Sequence, residues 1–318
     1  MDIVREVGDA DKRIRPHIRE TILEHSTAFS ALGGGEVFFK LENLQHTGSF
    51  KARGALNKIL SLPESECARG VVTASTGNHG AAVAFASRTV GARSIVFVPE
   101  NASPTKLSII KRLGADVHTY GTDCGESEIH ARGYAKEHGL IYVPPYNDPK
   151  VVGGQGTIAV ELTRQLERID AIFVSLGGGG LISGIAGYLR SVLPDVEVFG
   201  CSPENSQVMI QSVRAGRILD LPSLPTLSDG TAGGVEADAI TFELVRDLVD
   251  DFATVTEEQI KDTLRTFIDT HHLLIEGSAA VAIAAYLQRK EMFIGKNVVI
   301  VVCGANISLD MLKQVLAS

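Results

Sequence analysis

The residues with chemical potential in this sequence gather at strand-to-helix turns, and Lys51 is the most informative of them. It lies in Thr47-Gly48-Ser49-Phe50-Lys51-Ala52-Arg53-Gly54-Ala55, directly after the apolar run Val37-Phe38-Phe39-Lys40-Leu41. That run reads as a buried strand, and Ala52 to Leu60 reads as a helix. The Gly48-Ser49 pair supplies the tight turn and the helix start. A primary amine at a partly desolvated helix N-terminus has its charged form disfavoured and becomes a nucleophile. Schiff-base formation with a carbonyl cofactor is the chemistry that needs such an amine. The plain alternative, a surface lysine opening a helix, is the usual fate of lysine. Three other motifs decide against it.

Leu176 closes an apolar strand and is followed by Gly177, Gly178, Gly179 and Gly180, with a helix from about Leu181. Four glycines leave no Cβ between an anion and the backbone N–H groups, and the helix N-terminus adds favourable partial charge. The segment lacks the lysine of a P-loop and the spacing of a dinucleotide fingerprint, so it reads as a phosphate cradle without a nucleotide. Ser75-Thr76-Gly77-Asn78-His79-Gly80 has the same strand-to-helix setting, and its amides and hydroxyls suit a substrate carboxylate. Asn78 also has a donor and an acceptor for a cofactor hydroxyl. Val298 to Val302 is a fully apolar strand ending at Cys303, whose neutral thiol can meet a heterocyclic nitrogen weakly. Read singly, Ser75 to Gly80 is an ordinary N-cap turn, and Cys303 is a buried structural cysteine.

The elements that must position these turns alternate along the chain. Strands are expected at Gly70–Ala74, Ser94–Pro99, Asp116–Tyr120, Leu140–Pro144, Ala171–Leu176, Glu197–Ser202 and Asn297–Cys303. Helices are expected at Asn78–Val90, Ser103–Leu113, Gly125–His138, Gly154–Leu166 and Leu181–Leu193. Such alternation is the signature of α/β architecture with parallel sheets, whose ligands collect beyond the carboxyl ends of the strands. Pro144-Pro145-Tyr146-Asn147-Asp148-Pro149 marks a boundary. Ile218 to Glu236, with Pro222, Pro225 and several glycines, reads as an active-site or interface loop.

The 318 residues allow one large or two modest domains, and a net charge of −8 argues against a nucleic-acid partner. No apolar run reaches membrane-spanning length and the N-terminus lacks a signal-peptide pattern, so a cytoplasmic enzyme is expected. Cys67, Cys124, Cys201 and Cys303 lack paired spacing, which suits free thiols in a reducing compartment. His271 and His272 are adjacent, and neighbours on a helix point apart, so no metal site is read there.

Together the four motifs, in their order and spacing, resemble fold-type II pyridoxal-phosphate enzymes of the serine/threonine dehydratase and serine racemase family. The resemblance covers nearly the whole chain. It implies two open, twisted, mostly parallel sheets with helices on both faces, similar to the tryptophan synthase β subunit. Residues 1–51 and 147–318 would form the large domain that binds pyridoxal 5'-phosphate, and 52–146 a small mobile domain. It further implies that Lys51 is the Schiff-base lysine, that Phe50 packs on the ring, and that Gly177 to Gly180 with Leu181 hold the phosphate. Asn78 would meet the ring hydroxyl and Cys303 the pyridine nitrogen. Glu276 would lie beside the ring and Gly230 would line it. Ser75, Thr76, Gly77, Asn78 and His79 would surround the substrate carboxylate. A homodimer is the family's expected state.

The implied reaction turns a β-hydroxy amino acid, such as L-threonine or L-serine, into a 2-oxo acid and ammonia through an aminoacrylate. Lys51 is the general base, and the cofactor phosphate is the acid for the leaving hydroxide. Racemisation is the nearest rival, because Thr76 stands where family racemases have a serine and many dehydratases an alanine. Threonine keeps the hydroxyl but adds a stiff χ1. A β-replacing synthase is a further reading on the same scaffold, since fold does not fix function. Ser202 and Val208 stand where many relatives carry acidic metal ligands, so no divalent metal is expected. The chain ends soon after the Cys303 strand, and isoleucine feedback through a C-terminal domain is not expected. Thr76 and the Ser228 to Gly234 loop resemble a subgroup that includes hydroxyectoine-utilisation and phenylserine dehydratases. A substrate bulkier than threonine is therefore a second expectation.

Overall fold

Val298 to Val302 is apolar on both faces, so it can only be an interior strand of a covered parallel sheet. The computed structural model, which describes residues 1–102 and 104–317, places it there. In chain order the strands are β1 (Leu23–His25), β2 (Glu36–Leu41), β3 (Val71–Ala74), β4 (Ser94–Val98) and β5 (Asp116–Thr119). They continue with β6 (Ile141–Tyr142), β7 (Ala171–Ser175), β8 (Glu197–Pro203), β9 (Asp251–Val255) and β10 (Asn297–Val302). One sheet has six strands in the order β1-β2-β10-β7-β8-β9, and the other has four in the order β5-β4-β3-β6. Every pairing is parallel except β1 on β2 at the edge. The α/β class with two mostly parallel sheets stands as expected.

Two strands lie outside the sequence expectations. β1 is only Leu23-Glu24-His25, too short to show a period, and it exists because β2 offers an edge to pair with. β9 begins at an exposed aspartate and alternates half-buried with buried residues, over five positions too few to stand out in the sequence. Several predicted helices hold with shifted ends; the crossover after Pro144 begins at Pro149 rather than Gly154, capped by Asp148 on the N–H groups of Lys150 and Val151. Ser103, placed in the helix that the structure gives as Pro104–Arg112, lies outside the described residues. His271 closes the helix Glu257–His271, while His272 is already its left-handed cap at φ 53°. His271 stacks on Phe267 and bonds Ser26 Oγ at 2.9 Å, so it is a packed core residue.

Both sheets have a topological switch where successive strands depart to opposite sides. In the six-stranded sheet it falls between β7 and β10, in the four-stranded sheet between β3 and β6. Ligands of open α/β sheets sit at these points. The glycine loop follows β7, Cys303 follows β10, and the Ser75 to His79 turn follows β3. The largest core surrounds the six-stranded sheet, and a second unites Ala52, Ala55, Leu56 and Ile59 with Ala82, Val83 and Val143. That second core also takes Ile14 and Ile18 from the N-terminal segment. The helix bearing Lys51 thus packs between the helix Asn78–Val90, which follows β3, and the helix Pro149–Gln165, which leads to β7.

The same helix is anchored by buried charge. Lys40, Glu42, Arg53 and Glu161 are all fully buried. Arg53 donates to Glu42 at 2.8 Å through Nε and again through Nη2, and to Glu161 at 2.7 and 2.9 Å. Lys40 Nζ reaches Glu161 at 2.6 Å and Arg15 reaches it at 2.7 Å. Phe50, the residue before the helix, supplies no side-chain cap. Arg53 therefore fixes this helix from the side opposite Lys51, since positions two apart on a helix face different ways.

Candidate active site

Lys51 opens its helix and is half-buried at the seam between the sheets. Its Nζ donates to the carbonyl of Pro145 at 2.8 Å and stands 5.2 Å from the Phe50 ring centre. Burial pulls its pKa down to about 8, opposed in part by the Glu276 carboxylate. A sizeable neutral fraction is therefore available near neutrality, which is what a nucleophilic amine needs. Phe50 N–H donates to the carbonyl of Cys303 at 3.1 Å, and Ser49 bridges Gly304. The lysine turn is thereby tied to the end of β10.

The glycine loop is a surface that only glycine can make. A Cβ on Gly177 would lie 2.9 Å from Thr231, and one on Gly180 2.9 Å from the Cβ of Tyr146. A Cβ on Gly178 would clash with the Tyr146 ring at its Cδ1. Gly179 is left-handed at φ 86°, and the helix Gly180–Val192 has no side-chain cap. Its first N–H groups, Leu181's among them, are left for a ligand. Thr241 donates to the Gly178 carbonyl at 2.6 Å and holds the loop. Pro145 accepts from Lys51 while Tyr146 packs on this loop, so the boundary segment links amine and cradle.

The Ser75 to His79 turn leads into the helix Asn78–Val90, which also has no side-chain cap. Ser75 Oγ accepts from Gly77 N–H at 3.2 Å. The half-buried Thr76 hydroxyl has no protein partner among the described residues. His79 turns its imidazole inward to the Val143 carbonyl at 2.9 Å, and burial pushes its pKa down to about 3. It is a neutral structural donor, and what it can offer a carboxylate is its backbone N–H. This narrows the sequence expectation for His79.

Asn78 joins the two sheets. Its Nδ2 donates to Glu276 at 2.8 and 3.1 Å, and its Oδ1 accepts from Asn306 Nδ2 at 2.5 Å. Glu276 is buried, which raises its pKa to about 7, and it also accepts from Asn306 N–H at 2.9 Å. Gly304 lies so close that a Cβ there would meet the Glu276 carboxylate at 2.8 Å. Gly230 N–H donates to Ser278 Oγ at 3.1 Å beside Glu276. Cys303 is buried, its pKa driven well above the thiol range by desolvation, so it is a neutral thiol. Ser202 Oγ is committed to the Leu176 carbonyl at 2.7 Å, and Val208 is buried at a helix start. Among the described residues no group of three His, Cys, Asp or Glu is placed to hold a metal.

The residues that the sequence assigns to the cofactor and substrate lie at this seam or on the loops beside it. Tyr146, Thr231, Thr241, Ser278 and Asn306 belong to it too and carry no sequence signal of their own, except that Asn306 follows Cys303-Gly304. The geometry fits pyridoxal phosphate: an uncapped glycine cradle, a buried amine, a neutral thiol and an amide donor around one space.

The family model for pyridoxal-phosphate dependent enzymes matches residues 14–304. The L-threonine ammonia-lyase of Thermotoga maritima is 39% identical over 99% of this chain and 78% of its own length. Among solved structures, threonine deaminase isoform 2 of Solanum lycopersicum superposes with TM-score 0.95 at 32% identity, covering 99% of this chain and 92% of that one. Maize serine racemase superposes with TM-score 0.93 at 33% identity, covering 99% and 96%. The chain is a pyridoxal-phosphate dependent enzyme of fold type II and belongs to the serine/threonine dehydratase family.

Proposed function

We propose that this enzyme dehydrates a β-hydroxy amino acid, L-threonine or L-serine in the first instance, to a 2-oxo acid and ammonia. The observation that carries the reading is Lys51, a buried amine of lowered pKa set between two uncapped helix N-termini. Bound on Lys51 and the glycine cradle, pyridoxal phosphate supplies the electron sink. The chain's own groups do the rest. The N–H groups opening the helix Asn78–Val90 take the substrate carboxylate, and the helix dipole favours that charge. Lys51 Nζ accepts the Cα proton as general base. The Cβ–O bond breaks with the hydroxyl leaving, and hydrolysis of the resulting enamine releases ammonia and the 2-oxo acid. The neutral Cys303 thiol cannot hold a positive charge on a ring nitrogen as a carboxylate would, which favours prompt elimination over transamination.

Racemisation is supported as a second outcome by the half-buried Thr76 hydroxyl, a candidate second acid beside the carboxylate turn. Chiral chromatography of L-serine reactions decides: keto acid forming faster than D-serine is expected, and the reverse order assigns a racemase. A panel of β-hydroxy amino acids, aryl ones included, tests the bulkier-substrate reading.

We further infer that residues 52–146 form the small mobile domain, with 1–51 and 147–318 holding the cofactor, because the Ser75 to His79 turn belongs to the separate four-stranded sheet. The enzyme is read as a cytoplasmic homodimer; its four unpaired cysteines suit a reducing compartment. No helix of the described residues is long and apolar enough to cross a membrane.

A further inference from the structure

Asn306 lies where three segments of the chain meet, and it takes no part in the chemistry described above. Its Nδ2 donates to the Thr47 carbonyl at 2.9 Å and to Asn78 Oδ1 at 2.5 Å. Its backbone N–H donates to Glu276 Oε2 at 2.9 Å. Thr47 precedes the turn to Lys51, Asn78 opens the helix after β3, and Glu276 precedes the helix Gly277–Arg289. Gly48 makes the approach possible, because a Cβ there would stand 2.9 Å from Asn306 Oδ1.

Hydrogen-bond polarity runs in one direction through these contacts. The Thr47 carbonyl can only accept, so Asn306 must turn its NH₂ toward it. The second hydrogen of that NH₂ then faces Asn78, which must answer with its oxygen. The NH₂ of Asn78 is thereby aimed at the Glu276 carboxylate, as found at 2.8 and 3.1 Å. The donor side of the Asn78 amide is held toward Glu276, the 3.1 Å contact being the weaker of its two. With Asn78 reversed, its oxygen would oppose the Glu276 carboxylate and two NH₂ groups would face each other at Asn306.

We propose that Asn306 is a positioning residue that fixes the amide of Asn78, so that Asn78 presents a donor to the ring hydroxyl of the cofactor. The inference rests on the reading of this site as a pyridoxal-phosphate site. A donor at an ionised ring hydroxyl favours the ionised form, so the amide direction sets the electronic state of the cofactor.

The test compares Asn306→Asp, Asn306→Leu and Asn306→Ala as holoenzymes. Aspartate keeps shape but presents only acceptors, which reverses Asn78. Leucine keeps volume and removes the lock, and alanine removes both. The readout is the ratio of the visible to the near-ultraviolet cofactor band, with kcat and KM for L-threonine. The band ratio is expected to fall about fivefold or more in Asn306→Asp and less in Asn306→Leu and Asn306→Ala. kcat should fall about 30-fold or more in Asn306→Asp, with KM within about threefold of the parent. If Asn306 serves packing alone, Asn306→Ala is the worst of the three and Asn306→Leu and Asn306→Asp keep the parental band ratio; that order overturns the proposal. The parent protein separates the two claims. Failure to give a visible band removable by borohydride refutes the pyridoxal-phosphate reading itself, whereas a normal parental band with volume-ordered variants refutes only the role of Asn306.

Discussion

Lys51 Nζ donates to the carbonyl oxygen of Pro145 at 2.8 Å, across the junction between the two sheets. This contact holds the amine beside the glycine cradle while burial keeps its pKa near 8. Only the neutral amine adds to a carbonyl, so uptake of pyridoxal phosphate by the apoenzyme should quicken about tenfold per pH unit below that value and level off above it. Stopped-flow absorbance across the pH range measures this. The folded pKa is depressed, so the folded protein binds fewer protons than the unfolded chain between about 8 and 10.5, and the Lys51 contribution to stability grows over that window.

Gly178 tolerates no side chain because its Cβ would clash with the Tyr146 ring. Gly178→Ala should displace Tyr146, deform the cradle and weaken cofactor affinity by about 10- to 100-fold. Gly133→Ala, at a helical position with open space around it, is the matched control and should bind normally. Fluorescence titration with pyridoxal phosphate distinguishes the two.

Arg53 compensates two buried carboxylates, and removing it strands both. Arg53→Met should cost about 3 to 5 kcal/mol of stability, read by urea unfolding. The neighbouring cations hold Glu161 below the usual carboxylate range against the opposing effect of burial. A depressed folded pKa gives stability that is present above the unfolded value and lost as pH falls through the folded one. Glu161→Gln should therefore flatten the loss of stability on acidification below about pH 4.5. A slope equal to the parent's would remove Glu161 from the account.

Ser202 donates its hydroxyl to the Leu176 carbonyl, and Val208 has no side-chain oxygen to give a cation. Activity should persist after exhaustive chelation, within about twofold of the untreated enzyme. A large loss restored by magnesium would establish a metal site made of other ligands.

The turns that do chemistry were legible because each is local. A lysine after Gly-Ser-Phe, four glycines after an apolar strand and a cysteine closing another are patterns within ten residues. The α/β class was legible for the same reason, since apolar runs and helical stretches alternate visibly. β1 and β9 were not, because a three-residue edge and a half-exposed strand are defined by their partners. His79 shows the same limit from the other side: its place in the motif suits a substrate, yet the fold turns its ring to Val143.

The sequence by itself picked out Lys51 as the candidate nucleophile and Gly177 to Gly180 as the candidate phosphate cradle from local pattern, and the cofactor class through the resemblance that those motifs carry together. Tertiary structure alone decided which side chains meet. Asn78 and Asn306 are 228 residues apart, and Arg53 and Glu161 108 apart, yet each pair shares a hydrogen bond. The direction of an amide, the burial of a charge and the pKa of Lys51 depend on neighbours that only folding brings within reach of one another.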